Sequence, residues 1–336
     1  MPGTDPLLLD EISLLLVWTA VTIYVLAFIA YAIDLARRSD LALKAKDDVV
    51  ARELVTAGGG GVIGGSTGSS ASTTAPKPRY LWARLGTVLT ALGFVFHLTA
   101  TVLRGIAAER VPWSNMYEFA MTGLLLIIAV YLAVLTRYDL RFLGALMTGL
   151  TVLLLGGATL AFHVDVVPLA DPLKSVWLVV HVFVASLATA LFALAFGLSV
   201  VQLIQTRRER KLAEAAPSDD APKRSFLRTV PKADALESLA YRFAIVGFIF
   251  WTFTLIAGSI WANDAWGRFW GFDTKEVWTF VIWVLYAGYI HARATRGWRG
   301  TRSAWLSIIG FTAVLFNFTI VNVFFKGLHA YSGLTT

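Results

Sequence analysis

Residues 261–278 read W-A-N-D-A-W-G-R-F-W-G-F-D-T-K-E-V-W and hold four of the chain's twelve tryptophans. Trp261, Trp266, Trp270 and Trp278 offer flat apolar surface, with Arg268, Asp273, Lys275 and Glu276 threaded between them. That mixture suits a large planar ligand with a charged edge better than it suits ordinary packing. An interfacial aromatic belt is the plainer alternative, since Trp collects where helices leave a bilayer. A belt scatters its aromatics over several helix ends and has no use for interleaved charges. The other groups able to do chemistry are five histidines, because the chain has no cysteine. Thiolate metal ligation and an internal dithiol relay are therefore excluded, and thiol reduction tied to this chain falls to a partner.

Position sorts the histidines. His181 falls about five residues inside an apolar run, hence ~8 Å deep at 1.5 Å per residue. His329 lies just past the last apolar run, at the same outer surface. These two reach the aromatic shelf from either side. His291 is ~22 Å further along its helix than Glu276, toward the opposite leaflet, where it can act as a ligand or snorkel. His97, inside an apolar run, reads as a hydrogen-bonding residue between helices. His163, beside Asp165, reads as a surface residue. Haem satisfies every term for the shelf: axial imidazoles, Trp and Phe to pack the macrocycle, and Arg268 or Lys275 to pair with propionates. A second polar cluster, V-P-W-S-N-M-Y-E-F at 111–119, reads as a brace for the loop, with substrate contact as the alternative.

The elements that must position these residues are membrane helices. The chain has 336 residues, 57% of them hydrophobic and 15% charged, and a mean hydropathy of +0.67. A spanning helix needs about 20 largely apolar residues. Eight runs qualify, at 11–34, 83–104, 117–136, 142–162, 176–204, 240–261, 277–295 and 303–325. The first follows an acidic start and lacks a small-residue cleavage site before Arg37, so it is expected to be retained. Four connections (34–84, 137–141, 206–242, 292–302) carry 23 of the 29 lysines and arginines and are expected to be cytoplasmic. Both termini and the Trp-rich loop are then extracytoplasmic. The net charge of +7 follows from this bias and from anionic lipid, so it implies no nucleic-acid partner. The expected organisation is an N-terminal transmembrane helix in 1–40, a cytoplasmic Gly/Ser-rich linker in 41–80 and a transmembrane core in 81–336. A surface helix over 41–55 is an option, 212–236 reads as a connector, and no internal repeat stands out.

The loop at 261–278 resembles the tryptophan-rich WWD signature of haem-handling proteins. S-N-M-Y-E, K-S-V-W-L-V-V-H-V, L-E-S-L-A-Y-R-F, I-H-A-R and G-L-H-A-Y narrow the resemblance to the CcsA/ResC type of the System II cytochrome c biogenesis pathway. It covers the chain from about residue 83 onward. It implies that His181 and His329 are extracytoplasmic haem ligands. His291 would be the ligand of a cytoplasmic-side site whose second ligand comes from a CcsB/ResB-type membrane partner. It further implies haem b as bound substrate, apocytochrome c with its Cys-x-x-Cys-His segment as acceptor, a thioredoxin-like thiol reductase nearby, and a bacterial inner (plasma) membrane location. Three departures stand out: Phe272 where a clustered Trp is common, Thr274 where Pro usually follows Asp, and Glu109–Arg110–Val111 where a histidine often occurs. The activity implied is haem transport and attachment as a synthase subunit. A haem exporter without ligation remains an alternative, as does a b-type electron carrier pairing His97 with His291.

Overall fold

Long apolar runs offer the backbone no partner but itself inside a bilayer, and helices are the outcome. The computed structural model describes residues 5–58, 80–167, 169, 171–214, 225–295, 297–325 and 327–329. In order come α1 (Pro6–Gly58), α2 (Leu81–Ala107), α3 (Met116–Leu135), α4 (Gly144–Phe162), α5 (Val176–Glu214), α6 (Ala233–Trp266), α7 (Thr274–Thr295) and α8 (Thr301–Phe316). A π-helical turn, Asn317–Val321, and a last short helix α9 (Asn322–Phe324) follow. No strand occurs among the described residues, so the chain is an all-α, polytopic membrane protein.

Among those residues seven helices are long and apolar enough to cross a membrane: α1 within Pro6–Arg38, α2 to α6, and α8 carried on to Phe324. The eighth expected crossing is α7. It has the length, at 22 residues, but Trp278, Trp283, Tyr286, Tyr289, His291 and Arg293 dilute its hydropathy. The helix of α1 continues to Gly58, past the expected end of the first span. Of the Gly/Ser-rich linker, residues 59–79 lie outside the described residues, as does the middle of the 212–236 connector.

α5 forms the centre. Ala188, Ala190, Phe192, Ala193, Leu194, Ala195 and Leu198 are fully buried, and these small residues let α3, α6 and α8 approach closely. Phe192 stacks on Tyr286 of α7 at 3.6 Å between ring centroids. α1 packs flat against α2 and α4. At Gly93 a Cβ would meet the Tyr24 ring at 2.8 Å, so only glycine admits that contact. Helix alternation brings the C-terminal ends of α2, α4, α6 and α8 and the N-terminal ends of α3, α5 and α7 to one face of the bundle. His181, His329 and the Trp-rich loop all lie at that end.

The same end is tied by a buried ionic network. Arg104, fully buried, donates to Glu118 Oε1 (3.1 Å), to Asp10 Oδ1 (2.5 Å) and to the Val164 carbonyl (2.8 Å). Arg110 donates to Glu118 Oε2 at 2.7 Å, and Ser114 adds its N–H and hydroxyl. The 111–119 cluster is therefore tied to α1, α2 and the segment after α4. At the opposite end Glu237 accepts from Arg293 (3.0 Å) and from Gly300 N–H (2.7 Å), fixing the α7–α8 turn beside His291.

Candidate functional site

The Trp-rich loop begins as the last turn of α6. Gly267, with φ of 68°, closes that helix by donating its N–H to the Asn263 carbonyl. Six residues later D-T-K-E begins, and it opens α7 as a capping box. Asp273 accepts from Lys275 N–H through a carboxylate oxygen, while Glu276 reaches back to the N–H groups of Asp273 (3.2 Å) and Gly271 (2.8 Å). Phe272, just before the cap, has φ of 58°, a left-handed conformation that bulky residues seldom adopt. The loop is thus held at both ends by backbone chemistry, with Trp261, Phe269 and Trp270 facing a cleft.

That cleft, of about 500 Å³, is lined by His181, Thr254, Leu255, Gly258, Ser259, Trp261, Phe269, Trp270, Lys275 and His329 among others. His181 comes from the second turn of α5 and His329 from the segment after α9. Trp261 touches both imidazoles, at ring-centroid distances of 5.7 Å and 5.4 Å, and Trp266 lies 4.8 Å from His329. Gly258 is required here, because a Cβ would sit 2.7 Å from the His181 ring.

Each imidazole is pinned through the same nitrogen. His181 Nδ1–H donates to the Thr254 carbonyl at 2.9 Å, and His329 Nδ1–H donates to Asp273 Oδ2 at 2.8 Å. Nε2 of both rings then carries the free lone pair, as in metal-ligating histidines oriented by a carbonyl or carboxylate. Asp273 also accepts Leu328 N–H at 3.0 Å, which docks the chain after α9 onto the loop. The His329 hydrogen bond holds the Asp273 carboxyl below its usual range, more than offsetting the upward push of burial.

A depressed carboxyl contributes stability that is complete above its unfolded value of about 4 and disappears as pH falls through the lower folded value. Docking of His329 is accordingly expected to survive mild acid and fail only below about pH 4. Asp273→Asn removes the charge and the tautomer control. It is expected to weaken retention of an iron ligand by roughly 10–100-fold, read by transfer to apomyoglobin. Unchanged retention would show that the carboxylate has no orienting role.

The other expected residues divide. Trp270 lines the cleft and packs edge-on against Phe272 and Phe280. Arg268 is held by Glu276 at 3.2 Å and lies over Trp266 at the rim. Lys275 faces the cleft and donates to the Asn322 side chain. Trp278 turns toward α8, 4.4 Å from Phe316, and does not line the cleft. His291 is exposed on α7, remote from the others. His97 is fully buried, with Tyr24 OH 3.4 Å from its Nδ1, as expected for a residue at a helix interface; it forms no pair with the outward-facing His291. His163 departs from its surface reading. The segment after α4 folds back over the α2–α3 loop and sets the ring edge-on to Tyr117 at 4.9 Å.

Against known families, residues 113–329 match the model described as Cytochrome C assembly protein. The chain belongs to the CcsA-type cytochrome c biogenesis proteins. A CcsA of Guillardia theta is 34% identical over 251 residues, covering 70% of this chain and 83% of that protein. The CcsA of Prochlorococcus marinus is 32% identical over 269 residues, 73% and 83% of the two chains. Among solved structures, the cytochrome c haem lyase CcmF superposes with a TM-score of 0.59 at 16% identity. That match covers 95% of this chain and 47% of CcmF, so the chain spans about half that structure's length and shares its fold. A CcsA-type chain takes part in cytochrome c biogenesis, and its membership accounts for the span of 113–329, which runs from the 111–119 cluster to His329.

Proposed function

We propose that this CcsA-type protein binds haem b as a substrate between His181 and His329 at the extracytoplasmic membrane face. There it presents the haem for covalent attachment to apocytochrome c, as a subunit of a synthase complex. The observation that carries this reading is the pairing of two imidazoles, each pinned at Nδ1, around one aromatic cleft. Lys275 faces that cleft and Arg268 stands at its rim, so both suit the anionic propionate edge. Trp261, Trp266 and Trp270 supply the apolar surround that tunes a bis-histidine iron.

Attachment adds each cysteine S–H of the Cys-x-x-Cys-His segment across a vinyl double bond. Sulfur bonds one carbon and hydrogen the other, with no net oxidation. The chain's own part is to orient the ring, exclude water and surrender one axial position to the acceptor's histidine. Having no cysteine, it relies on a thioredoxin-like reductase to keep those thiols free. A CcsB/ResB-type membrane partner completes the complex in the bacterial plasma membrane, with both termini of this chain outside. His291, exposed on α7, suits the ligand of a cytoplasmic-side haem whose second ligand the partner provides.

The test is the absorption spectrum of the complex purified from cells. It should carry a low-spin bis-imidazole signature, and His291→Ala should reduce haem at the outer site without altering that signature. Added imidazole should restore the load. A complex without haem in every preparation would overturn the reading. An unchanged haem load in His291→Ala would remove the cytoplasmic-side site from it.

A further inference from the structure

A second recess, open to the outside of the bundle, abuts the cleft that holds His181 and His329. Between α6 and α7 runs an open groove of about 890 Å³, lined by Thr252, Ile256, Ile260 and Trp283 and by three residues it shares with the cleft: Leu255, Ser259 and Trp270. Among the described residues no charged side chain lines it. Its flanks are apolar and exposed: Ile249, Phe253 and Ile256 on α6, Phe280 and Val284 on α7. Only a thin wall separates groove from cleft. Ser259 hydroxyl donates to the Phe269 carbonyl at 3.0 Å, and Trp270 leans on Phe280.

Helical phase connects this groove to His291. On α7, Val277, Phe280, Val284, Gly288 and His291 recur at spacings of three and four and are all exposed, so they share one face. A Cβ on Gly288 would meet nothing within 4 Å, which leaves a notch in that face one turn from His291. A second chamber of about 850 Å³ also touches His181, on the inner side, with walls from α3, α4, α5 and α8 as well as α6 and α7; His291 lines neither space, but the exposed α7 face that carries it includes Phe280 of the groove.

We infer that the planar ligand of the outer site reaches it laterally from the bilayer, through the α6–α7 groove and past Trp270. The inner chamber is not its route. This rests on the reading of the cleft as a haem site. Flat aromatic walls without charge accept a porphyrin face, and a single hydrogen bond at Ser259 is a low barrier to parting the wall.

Ile256 and Ile260 line the groove but not the cleft, which allows the route to be blocked while the binding site is spared. The full-length protein in lipid nanodiscs is mixed with haem b, supplied either in liposomes or on albumin in water, and loading is followed by absorbance. Ile256→Trp and Ile260→Trp should slow loading from liposomes by roughly tenfold, a barrier of about 1.4 kcal/mol. Loading from albumin and the final spectrum should match wild type. Val246→Trp, exposed lower on the same face of α6, should change neither rate. Equal liposome rates in groove variants and wild type overturn the inference and leave the haem site standing. A lateral route is likewise overturned if both donors slow alike, or if Val246→Trp slows as much. Failure of the wild-type protein to take haem from either donor overturns the inference together with the reading it rests on.

Discussion

Changing His181 or His329 to Ala should empty the outer haem site and stop cytochrome c maturation, with the protein still present at normal levels in the membrane. Loss of an orienting partner alone costs a metal site about 10–100-fold, so loss of the ligand itself should cost more than the upper end of that range. Both side chains line the cleft, although His181 also packs on Gly258 of α6. His329 keeps 16% of its side chain exposed and follows α9, so its removal leaves the bundle intact. Added imidazole should occupy the vacated iron position and recover part of the activity in either single variant. In the double variant neither axial position is protein-bound, and recovery should fail. Wild-type maturation by His181→Ala, His329→Ala would end the assignment. A spectrum still low-spin in one single variant without imidazole would mean that another side chain is the axial ligand.

Why both rings are needed follows from how each is held. Thr254 O and Asp273 Oδ2 take the Nδ1 protons, so neither histidine can turn Nδ1 to the cleft in place of Nε2 without losing a hydrogen bond of normal length. The two anchors differ in kind. The carbonyl belongs to a continuous helix and has no titration; the carboxylate belongs to a loop and does. Acid should release the His329 side first, as Asp273 protonates, and leave His181 in place.

Much of this site could be read from residue order, and the parts that could not have physical reasons. The aromatic loop and its flanking histidines were visible because Trp clusters and His at helix ends are rare enough to carry meaning. Thr254 was not, because it acts through its main-chain carbonyl, and every residue has one. Nor was the outward turn of Trp278: it belongs to the signature by sequence, yet α7 begins at Thr274, and helical phase swings Trp278 onto Phe316. All eight crossings were read from apolar runs; among the described residues seven are long and apolar enough to span, while α7 is diluted by the Trp, Tyr, His and Arg that its surroundings use. The half-burial of His163 escapes the sequence because it comes from a fold-back of the segment around Val164, a contact between Arg104 and a carbonyl 60 residues away.

The second large effect should come from Glu118, which touches neither imidazole. It is fully buried at the first turn of α3, where Asn115 Oδ1 caps its N–H at 2.9 Å. Its carboxylate accepts from Arg104, from both terminal nitrogens of Arg110, and from the N–H and hydroxyl of Ser114. Replacing such a pair by apolar residues can be neutral, but removing one member strands the other charges, at about 3–5 kcal/mol. Two arginines are stranded here, and Arg104 has only the partly exposed Asp10 and one carbonyl left. The next residue, Phe119, packs with Trp113 against the cluster of Leu173, Leu178, Val182 and Trp261, directly beneath the cleft. Glu118→Ala should therefore lower the thermal unfolding temperature in detergent and, through that floor, loosen the grip on haem. Glu118→Gln keeps the shape and some hydrogen bonds and should fall between. Asp10→Asn, at the edge of the network, should cost least. To separate support from direct ligand contact, the spectrum of the surviving folded Glu118→Ala fraction should still be bis-imidazole. Melting of Glu118→Ala within about 0.5 kcal/mol of wild type would mean that the network does not hold this end of the bundle together.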